Sequence, residues 1–134
     1  MAAARMFEDL YAWQQARKLV AAVRAAIRDE KLGKDRSLSD QMLRAARSVM
    51  SNISEGFESN SHAEFNRYLG MARGSCAELR SQLYEAQDAK LIDLARQQQL
   101  SILARSTSNL VSSLKIAVEK RIPKKRGKAG PISP

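Results

Sequence analysis

Four stretches of this chain bring apolar residues back every three or four positions, and short polar breaks separate them. That is the period of a helix face and not the two-residue alternation of a strand. The first stripe runs Leu10, Trp13, Val20, Val23 and Ile27. The second runs Leu38, Met42, Ala45, Val49 and Ile53, flanked by Ala46 and Met50. The third is Phe65, Leu69, Ala72, Cys76, Leu79, Leu83 and Ala86. The fourth is Leu100, Leu103, Thr107, Leu110, Leu114 and Ala117, with Val111 and Val118 beside it. Ala, Leu, Arg, Gln, Glu and Lys, all good helix formers, fill the rest. Four amphipathic helices on short connections predict an all-α fold, an antiparallel up-down-up-down four-helix bundle.

The ends of these helices carry their own signals. The first begins near Phe7 to Asp9, where Glu8 and Asp9 suit its positive end, and stops near Gly33. Ser37 reads as the cap of the second, with Asp40 three residues on. Gly56 and the run Glu58, Ser59, Asn60 end it. Ser61 and Glu64 form a capping box for the third. A break over 90–93 precedes the fourth helix, and Pro123 follows it, unable to continue the hydrogen-bond ladder. The expected organisation is a disordered lead over 1–6, the bundle over 7–120 and a disordered basic tail over 121–134.

Beside the third apolar stripe runs a row of small residues, Gly70, Gly74, Ala77 and Ser81. A glycine inside a helix costs about 1 kcal/mol relative to alanine. Two of them one turn apart point to a close approach by another backbone. Tyr11, Leu19 and Ile102 give more apolar surface than one bundle seam needs. Together these features predict a homo-oligomer.

The formal net charge is +9, which favours polyanionic partners. Arg121, Lys124, Lys125, Arg126 and Lys128 concentrate charge after Lys120, in a run that can neutralise phosphates but holds no aromatic for base stacking. Between Gln41 and Ser54 there is no acid, while Arg44 and Arg47 stand three apart on one face. With Arg73 they make a candidate anion-binding patch. The alternative for Arg73, with Glu55, Glu78 and Arg80, is a set of ordinary ion pairs. In a hairpin turning at Asn60, Arg73 comes level with Arg47 and Ser48, so a Glu55–Arg73 pair is not expected.

No catalytic constellation emerges. Cys76 and His62 are the only residues of their kinds, and fourteen residues on one helix separate them by about 21 Å. One Cys and one His leave a zinc site short of ligands. No phosphate-cradling glycine loop is present, and no cofactor is expected. No run of apolar residues is long enough to span a bilayer, so no membrane partner is expected. A single cysteine fits a reducing compartment, and the expected location is cytoplasmic.

Phe7-Glu8-Asp9-Leu10 and Trp13-Gln14 with Ala16 resemble the opening of the bacterial four-helix bundle proteins encoded in intervening sequences of large-subunit ribosomal RNA genes, also called the S23 type. The run from Leu43 to Phe57, with Arg44-Ala45-Ala46-Arg47-Ser48 and Asn52-Ile53-Ser54-Glu55-Gly56, is similar to that family's second-helix signature. Glu64-Phe65 and Ala72-Arg73-Gly74-Ser75 with Glu78-Leu79 are similar to its third. The resemblance covers residues 7–92 strongly and the fourth helix only by pattern. It implies a bundle that assembles as a ring-shaped homopentamer. A remoter similarity is to the accessory variability determinant of diversity-generating retroelements, a basic bundle that associates with a reverse transcriptase and nucleic acid. The resemblance brings no catalytic residue with it.

These features predict a non-enzymatic, basic, oligomeric bundle that binds RNA or DNA, as an adaptor for a nucleic-acid enzyme such as a reverse transcriptase. The candidate contact residues are Arg44, Arg47, Arg73, Lys124, Lys125, Arg126 and Lys128. The alternative is a structural module that docks a partner protein and does not touch nucleic acid.

Overall fold

A computed structural model describes residues 3–124. The helices are α1 (Tyr11–Asp29), α2 (Arg36–Phe57), α3 (His62–Asp88) and α4 (Leu94–Glu119). Short 3-10 turns at Phe7–Asp9 and Lys31–Lys34 precede α1 and α2. Each helix packs on its chain neighbours, and α1 closes on α4. The fold is the antiparallel four-helix bundle that the stripes predicted. Met1, Ala2 and residues 125–134, including Lys125, Arg126 and Lys128 of the expected basic contact, lie outside the described residues.

The core has two layers. Near the α2–α3 turn it holds Leu10, Val49, Ile53, Phe65, Leu69 and Val111. Toward the other end it holds Leu19, Met42, Leu79, Leu83 and Leu100, with Leu32 of the 3-10 turn plugging the bottom. Burying each such side chain stabilises by about 1.5–3 kcal/mol. Ser39 Oγ donates to the Leu32 carbonyl at 2.6 Å, which ties that plug to α2. Where the layers meet, polar pairs cross the seams. Ser75 Oγ donates to Ser48 Oγ at 2.8 Å between α3 and α2, and Gln15 Nε2 donates to Ser106 Oγ at 3.2 Å between α1 and α4.

The stripes of α2 and α3 are buried as expected, while those of α1 and α4 hold in part, at Leu10 and Val23 and at Leu100 and Thr107, with the buried face turned from the rest of the stripe. In α1 the buried residues are Ala12, Ala16, Leu19, Val23 and Ala26, with Trp13, Val20 and Ile27 only half-buried. Leu19 is therefore core, and not spare surface for assembly. In α4 the expected Leu100, Thr107, Val111 and Val118 are buried and Gln97 and Ala104 join them, while Leu103, Leu110 and Leu114 are half-buried and Ala117 is exposed. Small residues at these seams let helices approach closely, so large apolar residues flank the contact and do not fill it.

Three helix ends differ from the expectation, and the first is that of α1, which stops at Asp29 with Glu30 as its cap and not at a left-handed Gly33. Asp35, not Ser37, caps α2, its carboxylate accepting from the Leu38 amide at 3.0 Å. The Lys31–Lys34 turn extends far enough to bring Asp35 into that role. At α3 only half of the capping box forms. Ser61 Oγ accepts from the Glu64 amide at 3.1 Å, but the Glu64 carboxylate turns to Arg67 at 3.0 Å. After α3 the chain reverses through Lys90 at φ 60, where the Leu91 amide reaches back to the Ala86 carbonyl at 2.9 Å. That left-handed position is one usually given to Gly or Asn.

The close approaches are at Gly33, where a Cβ would run into the Ile27 carbonyl oxygen, and at Gly56, where it would run into α3 side chains, not at Gly70 or Gly74. A Cβ on Gly56 would stand 2.7 Å from Tyr68 Cβ and 2.8 Å from a Phe65 ring carbon. One on Gly70 would meet only the end of the Lys115 side chain at 3.6 Å, and one on Gly74 would meet nothing within 4 Å. The small-residue row on α3 thus has no close backbone partner within the subunit.

Candidate nucleic-acid interface

An aromatic corner at the start of the chain frames the candidate site. Asp9 Oδ2 accepts from the Arg5 amide at 3.0 Å, and Gln14 Nε2 donates to the Glu8 carbonyl at 2.9 Å. These bonds fold the 3-10 turn back onto α1 and set the Phe7 ring edge-to-face on Trp13, 5.1 Å between centroids at 61°. The Arg17 guanidinium lies 5.8 Å from the Trp13 ring centre, within cation–π range.

Trp13 and Phe7 border a concavity of about 790 Å³ on the outer side of α2, whose wall includes Arg44, Arg47, Ser48, Met50 and Ser51. Arg44 and Arg47 are both exposed, and among the described residues neither meets a carboxylate. Asp40 is the one acid in the concavity wall. The structure therefore brings Arg44 and Arg47 together as expected.

Arg73 is not part of that group. Ser75 faces α2 through its bond to Ser48, and Arg73 lies two residues earlier, about 200° around the helix. Gly70, one turn before it, faces Lys115 of α4. Arg73 is thus level with Arg47 along the bundle but on the α4 flank, exposed and outside the α2 concavity. Lys124 is exposed at the limit of the described chain.

Other basic residues join the picture. No acid lies between Asp9 and Asp29, between Asp40 and Glu55, or between Asp93 and Glu119. Folded into a bundle, those three runs make up nearly all of α1 and α4 and the middle of α2. Around the waist of the bundle stand Arg17, Lys18, Arg24, Arg44, Arg47, Arg73 and Arg105, all exposed and, among the described residues, all without an ion pair. The acids among these cations are Glu78 of α3 and Asp40, one turn before Arg44 in the concavity wall. The ion pairs that do form are near helix ends: Arg28 and Arg96 with Asp29, Arg96 with Glu30, Arg67 with Glu64, and Lys115 with Glu119. The Arg67 and Arg28 guanidiniums hold the Glu64 and Asp29 carboxyls below their usual range. The signal for Arg17, Lys18, Arg24 and Arg105 was the length of the acid-free runs on α1 and α4, which match that on α2.

The remaining reactive groups are placed apart from this waist surface. Cys76 is fully buried, and burial pushes its thiol up to about 11 although the Arg80 charge pulls the other way. His62 is exposed at the first residue of α3. Among the described residues no three His, Cys, Asp or Glu side chains cluster as a metal site would need. Nor is any described helix long and apolar enough to cross a membrane.

The fold and these motifs have relatives. No curated protein matches the chain. Among solved structures, a protein of unknown function from the S23 ribosomal protein family of Bacteroides thetaiotaomicron VPI-5482 superposes with a TM-score of 0.71 at 18% identity. The match covers 78% of this chain and 95% of that one, and at this identity it speaks to the fold. Residues 8–113, which include Trp13 of the aromatic corner and the Arg44, Arg47 and Ser75 motifs, match the family described as 23S rRNA-intervening sequence protein, and the chain belongs to that family.

Proposed function

We propose that this chain is a non-enzymatic basic bundle that binds nucleic acid, RNA or DNA, and acts as an oligomer. The carrying observation is the segregation of charge. Apart from Glu78 the acids sit toward the helix ends, where Asp29, Glu30, Glu64 and Glu119 are ion-paired, while the waist presents seven exposed cations that have no ion pair among the described residues. Free guanidiniums at that density favour a polyanion over a neutral partner. Retention of labelled RNA or DNA on a filter, lost as salt rises, tests the reading; no retention at low salt overturns it.

Self-association rests on surface that one subunit leaves bare. Tyr11 is 65% and Ile102 70% exposed, and Gly74 has open space beside it. From the resemblance we further propose a homopentamer as the assembly and a reverse transcriptase as the partner for which this protein is an adaptor. The lone buried thiol suits a reducing cytoplasm.

The same exposed residues, with Tyr84 and Ile116, favour a second reading, a protein-docking module without nucleic acid. A pulldown separates the two. A partner retained after nuclease treatment supports docking, and loss of the partner supports nucleic-acid binding.

A further inference from the structure

We infer that the concavity beside α2 takes a single strand of nucleic acid, with an unpaired base against Trp13 and phosphates on Arg44 and Arg47. The inference rests on the nucleic-acid reading above and adds where the strand lies and which form is preferred. In the sequence the basic tail holds no aromatic. The fold supplies one by bringing Phe7 and Trp13 from the chain start beside Arg44 and Arg47 of α2. A positive groove with an aromatic platform is the arrangement that holds single strands, because every base has a π face to stack. A duplex keeps its bases stacked inside and offers this floor only phosphates.

The details agree with that occupant. Trp13 is half-buried, so its body is packed while the ring still borders the concavity. Phe7 braces it edge-on, which fixes the ring plane. Arg17, in cation–π range of the same ring, adds a third exposed cation beside Trp13. Arg44 and Arg47 are on successive turns of α2 with no carboxylate pairing among the described residues, so no ion pair must break before a phosphate binds. The concavity, at about 790 Å³, has room for a nucleotide.

Trp13 is the sole tryptophan, so its fluorescence reads this site directly. The experiment titrates the full chain with a short oligouridylate and with a duplex of equal length, following Trp13 emission and the anisotropy of a labelled strand together. Expected are quenching by the single strand, little quenching by the duplex, and roughly tenfold weaker single-strand binding after Arg44→Gln with Arg47→Gln. Losing two phosphate contacts should also lower the salt slope by about 1.4. Those two arginines are exposed, so the double variant keeps the fold. Binding by anisotropy with unquenched Trp13 and an unaffected double variant overturns the groove while leaving the nucleic-acid reading intact. No anisotropy change at low salt overturns both. Quenching by polyglutamate but not by the oligonucleotide assigns the groove to an acidic peptide and overturns the inference.

Discussion

Ser75 Oγ bonds Ser48 Oγ at 2.8 Å across the α2–α3 seam, and Asn52 Nδ2 closes on Ser48 from one turn away, 2.8 Å from its carbonyl and 3.0 Å from its hydroxyl. Three residues of the family motifs therefore form one part-buried polar cluster where the two core layers meet. Its position explains why a hydroxyl follows Arg47 on α2 and Gly74 on α3. The cluster fixes the register of the helix pair and leaves the preceding arginines pointing outward on their own flanks.

Ser75→Ala should cost about 1 kcal/mol of unfolding free energy, the usual net value of such a bond. Ser48→Ala should cost more, because Asn52 also loses a partner. Urea unfolding of both single variants and the double gives the coupling. Additive losses would show that the two hydroxyls act independently.

The two helix glycines of the motifs should respond in opposite senses. Gly56→Ala forces α2 away from Tyr68 and Phe65 and should destabilise by roughly 1–3 kcal/mol. Gly74→Ala meets nothing within 4 Å and should stabilise the subunit by up to about 1 kcal/mol through helix propensity. Thermal unfolding of the pair checks the contrast. If subunits pack on the small-residue row, Gly74→Leu should keep the fold yet lower the mass seen by light scattering toward the 14.9 kDa of one chain. A wild-type chain that is monomeric at micromolar concentration contradicts the assembly.

At the start of α2, Asp35→Ala should lose about 1 kcal/mol with its cap, and Ser37→Ala should lose little. Chemical denaturation distinguishes them. Equal losses would return the cap to Ser37.

Cys76 should resist thiol reagents in the folded state. With its thiol held at about 11 against an ordinary value of 9.0, the thiolate at pH 8 falls by about a hundredfold before burial slows access further. The linked stability has a definite sign. Burial favours the neutral thiol, so the contribution is fully present below pH 9 and is lost as pH rises toward 11. Rapid labelling at pH 8 without denaturant would show that the site opens.

Much of the fold was legible because α2 and α3 bury large aliphatic residues at regular spacing, from Leu38 to Ile53 and from Phe65 to Ala86. The faces of α1 and α4 were misread because their seams use Ala12, Ala16, Ala26 and Ala104, which rank below the nearby Trp13, Val20 and Leu103 in apolar size. The Asp35 cap was missed because it depends on a 3-10 turn that two lysines and a glycine do not announce. Arg44 and Arg47 were readable as a pair on one helix. The separation of Arg73 depends on which flank of α3 meets α2, and the Ser48–Ser75 bond supplies that. Placing Trp13 beside the two arginines needed the α1–α2 packing itself.

Equilibrium binding of labelled single-stranded RNA across a salt series tests the central claim most directly. The account predicts that log affinity falls linearly with log salt, about 0.7 per phosphate contact. It also predicts a shallower line when Arg44, Arg47 and Arg105 are replaced by glutamine. Absence of binding at the lowest salt, or a slope unchanged by those three substitutions, would contradict a nucleic-acid surface at the waist of the bundle.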